Sequence, residues 1–386
     1  MVVVMDLIST DNLWRDQKII TDGVYDLAFG RDENNFKLTL SEKVDSLTGG
    51  ALLYIDGTEY GGVLDKVGYD DSQEEIFYEG RSWSGVLNSK IIMPDPTTTF
   101  SGYVIEEGTT FETAITDLLE YMEVLTEDTY ERTAPDGDSL TYGWSFLLDI
   151  DDAVKNILVV NNYVDPNDED STPDDPNQQY EDKYLFEEYV QGYDGIAEFC
   201  KSLGITLTYY LTHITVSGKT ITNPVLHFIP STDYTQTEEF DKETLPIDGT
   251  HLLNKINHLI GLGNRIDNKQ TRVNVHIYMD ANGNLTEDKS QWAFAGVNEI
   301  AHVEEFGNVE KNACATQAMK KMKELIEEDE LNLKLYANHE YLIGDTVGRR
   351  DELLFGNEWI KQQITKKIVK LDGQDITIEY EVGGKK

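Results

Sequence analysis

Short runs of aromatic and aliphatic residues, separated by turns rich in glycine, dominate the first part of the chain. They are VYDLAFGR (24–31), FKLTLSE (36–42), ALLYI (51–55), VLDKVGY (63–69) and EIFYEGRSW (75–83). Runs of this kind at intervals of about 8–12 residues predict the strands of a β-barrel or β-sandwich. Asp56-Gly57 favours a type I′ hairpin turn, because both central residues of that turn need a positive φ. MVVVMDLIS at the N-terminus predicts one more strand, and the prolines of MPDPTTTF mark the end of a β region over 1–97.

In the next part of the chain, 98–248, apolar residues recur at the spacing of an α-helix. Thr109 and Glu112 form a capping box, in which each side chain can satisfy a free amide of the first helical turn. A second helix is predicted over 195–203, with Asp194 as its cap and Gly204 as its end. Strands are predicted at 205–211, 213–217 and 225–230. The region 98–248 is therefore predicted to be a small α/β domain inserted between two β regions.

A proline-rich acidic segment, VDPNDEDSTPDDPNQQYEDK (164–183), interrupts this middle region. It contains almost no side chain that could be buried. It is predicted to be a mobile surface loop, and a calcium-binding loop is the alternative because its carboxylates are suitable oxygen ligands.

The region 249–386 returns to β structure and contains one helix. VNVHIYM (273–279) alternates strictly and is followed by Asn282-Gly283, a typical hairpin turn. An apolar stripe predicts a helix over about 311–328. LNLKLY (331–336) alternates again, and Asp372-Gly373 turns the chain into a last strand, ITIEYEV (376–382). The whole chain is predicted to have an α+β fold.

The charge excludes several classes of function. The chain has 386 residues, with 72 Asp and Glu against 32 Lys and Arg, which gives a formal net charge of −40. Binding to nucleic acid needs clustered basic residues, and an anionic membrane surface would repel this protein. No apolar stretch is long enough to span a bilayer, and the N-terminus lacks the basic start of a secretion signal. Cys200 and Cys314 are predicted to be buried free thiols of a protein made in a reducing cytoplasm.

Each sequence motif that could indicate a catalytic, cofactor-binding or metal-binding site is incomplete. The segment 261–266, GLGNRI, begins like a dinucleotide-binding loop but lacks the third glycine and a following helix. His339-Glu340 begins a zinc-protease motif without its second histidine, and Asp280, Asn282 and Asn284 begin a calcium loop that has Leu285 in place of the required glycine. Ser84 lacks the glycine frame of a nucleophile elbow. The sequence therefore predicts no catalytic, cofactor-binding or metal-binding residue and no cofactor, although a pair of catalytic carboxylates is neither located nor excluded.

Two segments carry a resemblance to a known family. The first is YEGRSWSGVL (78–87), which continues to Lys90, Ile91 and Ile92, and the second is YLIGDTVGRRD (341–351) followed by the strands up to ITIEYEVG. Both resemble segments of phage tail hub proteins, which form the baseplate hub of contractile tails, of many long tails and of phage-tail-like particles. The matching residues are those of packing and turns rather than of chemistry, and the acidic loop at 164–183 has no counterpart in the family.

The resemblance implies an architecture, an assembly and a location. It implies two β-barrel-like tail-tube domains, 1–97 and 249–386, around the inserted domain. The chain would form a homotrimer, a ring of pseudo-sixfold symmetry that joins the tail tube protein to the distal baseplate proteins, the spike and a tape-measure protein. It would bind no specific nucleic acid sequence, insert into no membrane, and reside in the virion tail or a phage-tail-like particle. Its charge would serve either an acidic lumen that repels DNA or solubility alone.

Two other functions remain alternatives at this point. An acidic cell-surface or adhesion module would suit β domains of this composition, although the missing secretion signal disfavours it. A carbohydrate-active or wall-degrading enzyme would suit the aromatic residues and carboxylates, although no catalytic motif supports it. Because no recognisable wall-degrading domain follows the last strand, the sequence predicts a structural protein without enzymatic activity.

Overall fold

The computed structural model describes most of the chain. The described residues are 6–30, 32–94, 102–160, 183–186, 189–237, 247–250, 256–265, 272–281, 283–307, 311–327, 330–335, 340–351, 358–373 and 375–383. The predicted acidic loop, apart from Lys183, lies outside these ranges, as do Asn282 and His339. Within them the chain has mostly strands and four α-helices, so the predicted α+β class is confirmed.

The first region consists of strands and one short helix. They are β1 (Leu7–Thr10), β2 (Asp16–Ile20), β3 (Val24–Gly30), β4 (Asn35–Leu40), β5 (Leu52–Ile55), β6 (Gly61–Asp70), β7 (Glu75–Ser82), α1 (Trp83–Asn88) and β8 (Ile91–Ile92). Two local predictions were wrong. Trp83 begins a helix instead of ending a strand, because the Ser82 side chain accepts a hydrogen bond from the Gly85 amide and caps α1. The Asp56-Gly57 turn is not type I′, since of the two residues only Gly57 has a positive φ, and the Ile55 amide bonds the Tyr60 carbonyl across a longer loop.

The middle region contains the two predicted helices and a long hairpin. Its elements are β9 (Val104–Glu106), α2 (Phe111–Tyr121), β10 (Tyr130–Thr133), β11 (Ser139–Tyr142), β12 (Leu147–Ile150), β13 (Lys183–Leu185), β14 (Val190–Gln191), α3 (Gly192–Ser202), β15 (Ile205–Val216) and β16 (Lys219–Pro230). Thr110, rather than Thr109, caps α2 by accepting a hydrogen bond from the Thr113 amide. Asp194 lies in the first turn of α3 instead of capping it, where its charge still favours the positive end of the helix dipole.

The last region is again mostly β structure. Its elements are β17 (Ile247–Thr250), β18 (His258–Arg265), β19 (Arg272–Met279), β20 (Leu285–Thr286), β21 (Ala301–Glu305), α4 (Lys311–Glu327), β22 (Glu330–Leu335), β23 (Thr346–Asp351), β24 (Glu358–Asp372) and β25 (Asp375–Val382). The helix predicted at about 311–328 is thus confirmed. The predicted turn at Asp372-Gly373 is also confirmed. It joins β24 to β25, and the pair Asp372–Asp375 closes it.

Contacts divide the chain into two compact units. Residues up to 246 together with 334–383 form the first unit, and residues 247–333 form the second. These limits differ from the domains predicted from the sequence, because β24 pairs with β3 and so joins a sheet that begins in the first region. The predicted division at residues 97 and 248 stays a prediction.

The first unit is built on one large antiparallel sheet. Its strand order is β25-β24-β3-β4-β7-β6-β5-β1-β2, and β23 also pairs with β24. Among the described strands no ladder joins β2 to β25. One side of the sheet buries a core that includes Leu27, Phe36, Leu38, Leu53, Tyr78, Val369 and Leu371. A second core in this unit joins Trp83 to the middle region through Phe111, Leu118, Phe199, Leu226 and Phe228, above the small sheet β12-β16-β15.

The second unit is a four-stranded sheet covered by one helix. The strand order is β20-β19-β18-β21, in which β18 and β21 are parallel. Cys314, Ala318 and Met322 of α4 pack against the sheet, whose buried side chains include Leu259, Val275 and Ile277. The apolar stripe that predicted the helix is therefore the surface by which it packs.

We expect Trp83→Ala to lower the free energy of unfolding by about 3–5 kcal/mol, the usual cost of removing a fully buried aromatic side chain. Trp83 is 1% exposed and packs edge-on against Phe146, with ring centroids 6.3 Å apart. Urea denaturation would measure the change, and Tyr189→Ala, at a side chain that is 59% exposed, is the control. Unchanged stability together with lost binding of a sugar or peptide would instead identify Trp83 as a ligand platform.

Candidate functional site

A buried ion pair lies at the centre of the first unit. The Lys367 side chain on β24 is 0% exposed, and its ammonium forms a salt bridge with Glu59, whose side chain is 6% exposed. Thr208 of β15 donates a hydrogen bond to the second carboxylate oxygen of Glu59 at 2.6 Å. Burying either charge alone would be costly, so each charge depends on the other. We refer to Glu59, Lys367 and Thr208 as the Glu59 cluster.

Aromatic rings enclose the lysine of this cluster. The ammonium lies 5.9 Å from the ring centroid of Phe29, 5.6 Å from that of Tyr60 and 5.7 Å from that of Tyr380. Ring faces at these distances attract a cation. Burial raises the pKa of Tyr380 to about 12. Burial, with the nearby carboxylates, also raises the pKa of Tyr60, so both phenols stay protonated at neutral pH.

A cavity of about 370 Å³ adjoins the Glu59 cluster. Three segments of the first unit form its walls: the loop after β5, the middle of β15, and the chain just before β23. The lining residues are Tyr54, Asp56, Gly57, Thr58, Glu59, Thr208, Tyr209, Tyr210, Leu211, His213, Glu340 and Leu342. The Tyr60 hydroxyl donates to Glu340 at 2.6 Å and so orients that carboxylate.

Asp16 of β2 stabilises one wall of the cavity through hydrogen bonds. Its carboxylate accepts hydrogen bonds from Tyr54 at 3.0 Å and from Thr222 at 2.6 Å, and it lies 2.8 Å from His213 Nε2. The carboxylates of Asp56 and Glu340 are exposed. The charge of Glu59 is balanced by Lys367, so the remaining carboxylates make the cavity acidic. Such a cavity suits a cationic or hydrogen-bonding group rather than an anion.

The described side chains do not form a recognisable catalytic or metal centre. Ser84 is buried and donates to Asn34 Oδ1 at 2.6 Å, so it is part of the packing around α1. Across the described ranges, no group of three or more His, Cys, Asp or Glu residues is arranged to hold a metal ion. No helix in these ranges is both long enough and apolar enough to cross a bilayer.

The other candidate segments have structural roles. Gly261 lies inside β18 beneath α4, where an added Cβ would stand 3.0 Å from Ala318 Cβ, so this glycine permits close packing of the helix. Asp280 accepts a hydrogen bond from the Asn284 amide at 2.8 Å, which stabilises the predicted hairpin turn. Cys200 and Cys314 are free and buried, as predicted, and burial raises the pKa of both thiols.

A histidine pair in the second unit was not found by sequence reasoning. His258 Nδ1 lies 2.7 Å from a carboxylate oxygen of Glu299, and His258 Nε2 lies 2.9 Å from His276 Nδ1. The two histidines are on different strands, so a search for ligand spacing on one helix misses them. The signal that could have revealed them is the hairpin register, in which His258 pairs with Tyr278 and His276 is a diagonal neighbour on the same face.

The histidine pair packs against aromatic rings. His258 lies 4.7 Å from Tyr278 and 5.2 Å from Trp292 between ring centroids. Burial lowers the pKa of His276, and the neighbouring His258 and Lys289 lower it further. Since only one proton fits between the two facing nitrogens, protonating both rings must break their hydrogen bond.

We expect Lys367→Met to lower the free energy of unfolding by about 3–5 kcal/mol at neutral pH, because it leaves Glu59 buried without a counterion. The double variant Lys367→Met/Glu59→Leu should recover much of that loss. Chemical denaturation of the four proteins of this cycle would measure the coupling. Lys66→Met is the control: its exposed salt bridge with Glu79 contributes no more than about 1 kcal/mol. Equal losses for the buried and exposed lysines would contradict the assignment.

We expect the His276 imidazole to titrate below its usual pKa of 6.5. A base whose pKa is lowered in the folded state binds fewer protons than in the unfolded chain. Its contribution to stability is therefore complete above pH 6.5 and is lost as the pH falls through the folded-state pKa. NMR titration of the ring protons and urea denaturation between pH 7.5 and 5 would measure both effects. In His276→Gln this part of the pH dependence should vanish, and a His276 pKa at or above 6.5 would contradict the prediction.

Comparison with known proteins supports the fold. No model of a protein family matches the chain, and no curated protein matches it. The structure matches a chain of the phage P2 baseplate in its activated conformation with Ca, at a TM-score of 0.50 and 10% identity, over 99% of this chain and 100% of that one. It also matches prophage tail protein gp18 from Listeria monocytogenes EGD-e (TM-score 0.45, 14% identity, 99% and 95% covered) and the 43 kDa tail protein of prophage MuSo2 from Shewanella oneidensis (0.46, 9%, 98% and 98%). The chain thus has the fold of a phage baseplate protein over nearly its whole length, in agreement with the resemblance in its sequence.

Proposed function

We propose that this chain is a structural protein of a phage tail or phage-tail-like particle. The observation that carries the proposal is the match to a phage P2 baseplate chain over 99% of this chain and the whole of that one. A match of this extent includes both units and the middle region together. It therefore extends beyond one common domain.

Within such a particle we assign the chain to the hub. It would form a homotrimer with two barrel-like tail-tube domains per chain, joining the tail tube protein to the distal baseplate proteins and the spike. Exposed apolar side chains support an assembling protein: Val67 and Tyr69 lie on one face of β6 and are 53% and 58% exposed. Ile91 of β8 and Met93, directly after it, are 49% and 50% exposed. Apolar groups left in water at such positions favour association.

The proposed role is non-enzymatic. The acidic cavity offers carboxylates and hydroxyls for binding, while the buried Ser84 is engaged in packing. No specific observation favours an adhesion module or a wall-degrading enzyme over the tail protein. Release of reducing sugars from cell walls would nevertheless support the enzyme and contradict this proposal.

Assembly must overcome charge repulsion. A trimer of chains that each carry −40 would carry 3 × (−40) = −120 formal charges. Salt screens such repulsion, since the screening length shortens to about 8 Å at physiological ionic strength. An acidic inner wall would also let DNA slide past, and this use of the charge is part of the proposal.

We expect the purified chain to form trimers whose share rises with salt. Light scattering at tens of micromolar protein in low and high salt would measure the mass, and negative-stain images would show rings. Val67→Asp/Tyr69→Asp should weaken the trimer, because it adds two charges to an apolar part of the interface.

Val160→Asp is the control for that variant, since it introduces a charge at another exposed valine, 48% exposed. A strictly monomeric chain at every salt concentration, which also fails to join tail tubes or spikes, would contradict the hub assignment. A trimer with a neutral or basic inner wall would contradict the acidic lumen alone.

A further inference from the structure

Among the described strands, β15 has a partner at only one of its two edges. It pairs with β16 over twelve residues, and the sheet order β12-β16-β15 places it at the border of its sheet among the described strands. An edge strand presents unpaired amide and carbonyl groups, which form a template for another strand.

The register of the hairpin identifies the backbone groups that point outward. Ser217 and Gly218 have φ of 50° and 79° and form a two-residue loop, which closes with the hydrogen-bonded pair Val216–Lys219. Bonded and non-bonded pairs then alternate, so that Leu211 faces Pro224 in a non-bonded pair. A proline has no amide to donate and fits only there. The amides and carbonyls of Tyr209 and Leu211 therefore point away from β16.

These outward groups lie along the acidic cavity. The cavity is lined by Thr208, Tyr209, Tyr210, Leu211 and His213, which are nearly consecutive residues of β15. Neither the Tyr209 amide nor the Leu211 amide has a hydrogen-bond partner among the described residues. Tyr209 lines the cavity, and an amide without a protein partner there is available to a bound strand.

The wall opposite this edge supplies negative charge. The exposed carboxylates of Asp56 and Glu340 line the cavity, whereas the charge of Glu59 is already matched by Lys367. Tyr54 and Tyr210 line it as well. The combination favours a segment with a basic side chain over an acidic or neutral one.

We propose that this cavity binds an extended segment of another protein, which adds a strand to the free edge of β15 and directs a Lys or Arg side chain towards Asp56 and Glu340. Main-chain hydrogen bonds to Tyr209 and Leu211 supply the attachment, and the carboxylates supply the preference for a basic residue. The site does not depend on the proposed tail function, because its evidence is the geometry of β15 and the charge of the cavity.

The test uses three capped synthetic hexapeptides and the full-length protein. TVKVTV is the probe, TVEVTV reverses its charge, and TVKPTV removes one of its amides. Amide hydrogen exchange, resolved by NMR, follows Thr208 to Leu211. In the unbound protein the amides of Tyr209 and Leu211 should exchange at least about tenfold faster than those of Thr208 and Tyr210, which are bonded to β16. TVKVTV should slow the exchange of Tyr209 and Leu211 alone, and the other two peptides should have a much weaker effect.

Three variants test the main-chain hydrogen bonds and the carboxylates separately. Leu211→Pro removes an outward amide without removing a bond to β16, so it should fold and lose the peptide, whereas Leu211→Ala keeps the amide and should retain it. Asp56→Asn/Glu340→Gln should still bind and lose the preference for TVKVTV over TVEVTV. This double variant also tests the site if Leu211→Pro fails to fold.

Three results would overturn the proposal. One is unchanged exchange at Tyr209 and Leu211 in millimolar TVKVTV. Another is an equal response to TVKVTV and TVEVTV in the wild-type protein. The third is a response that lysine amide alone reproduces, since the cavity would then bind only a cation. None of these results bears on whether the chain forms a trimer, which the mass measurement decides independently.

Discussion

The salt bridge between Lys367 and Glu59 joins parts of the chain that are far apart in sequence. Glu59 lies 308 residues from Lys367 and 149 residues from Thr208, which donates to the same carboxylate. Because a buried charge without a partner is strongly destabilising, this pair favours the arrangement in which the large sheet, the loop after β5 and the long hairpin meet. The loop after β5 and the strand β15 of the hairpin also form two walls of the cavity, so its shape depends on the same interaction.

The segment YEGRSWSGVL, which resembles tail hub proteins, has a physical explanation as a packing motif. The buried Tyr78 hydroxyl accepts a hydrogen bond from the Val44 amide at 2.9 Å. A Cβ at Gly80 would stand 2.5 Å from the ring of Phe36, so glycine is needed where that ring crosses β7. Trp83 then enters the second core at the start of α1. The motif therefore contributes packing contacts where one sheet joins two cores.

The net charge of the chain and the outer edge of β15 affect association in opposite ways. A net charge of −40 keeps the protein in solution and opposes contact between copies of it. Specific association then needs local features that overcome the repulsion, and the apolar residues of β6 and the β15 edge are the features proposed for it. In the proposed tail protein this combination would suppress unwanted contacts while preserving the specific ones.

Much of the secondary structure follows from the sequence because its causes are local. Alternation of apolar residues predicted β25, a 3.6-residue stripe predicted α4, and Gly204 marked the end of α3. The errors arose where a neighbouring hydrogen bond decided the outcome, as when Ser82 capped a helix at Trp83 or Thr110 replaced Thr109 as the cap of α2. The pairing of β24 with β3, the burial of Lys367, the contact of His258 with His276 and the orientation of the β15 edge had no local signal. Each depends on residues that only the folded chain brings together, since the energy of a buried charge, a histidine pair or an unpaired amide is set by its surroundings in space rather than by its neighbours in sequence.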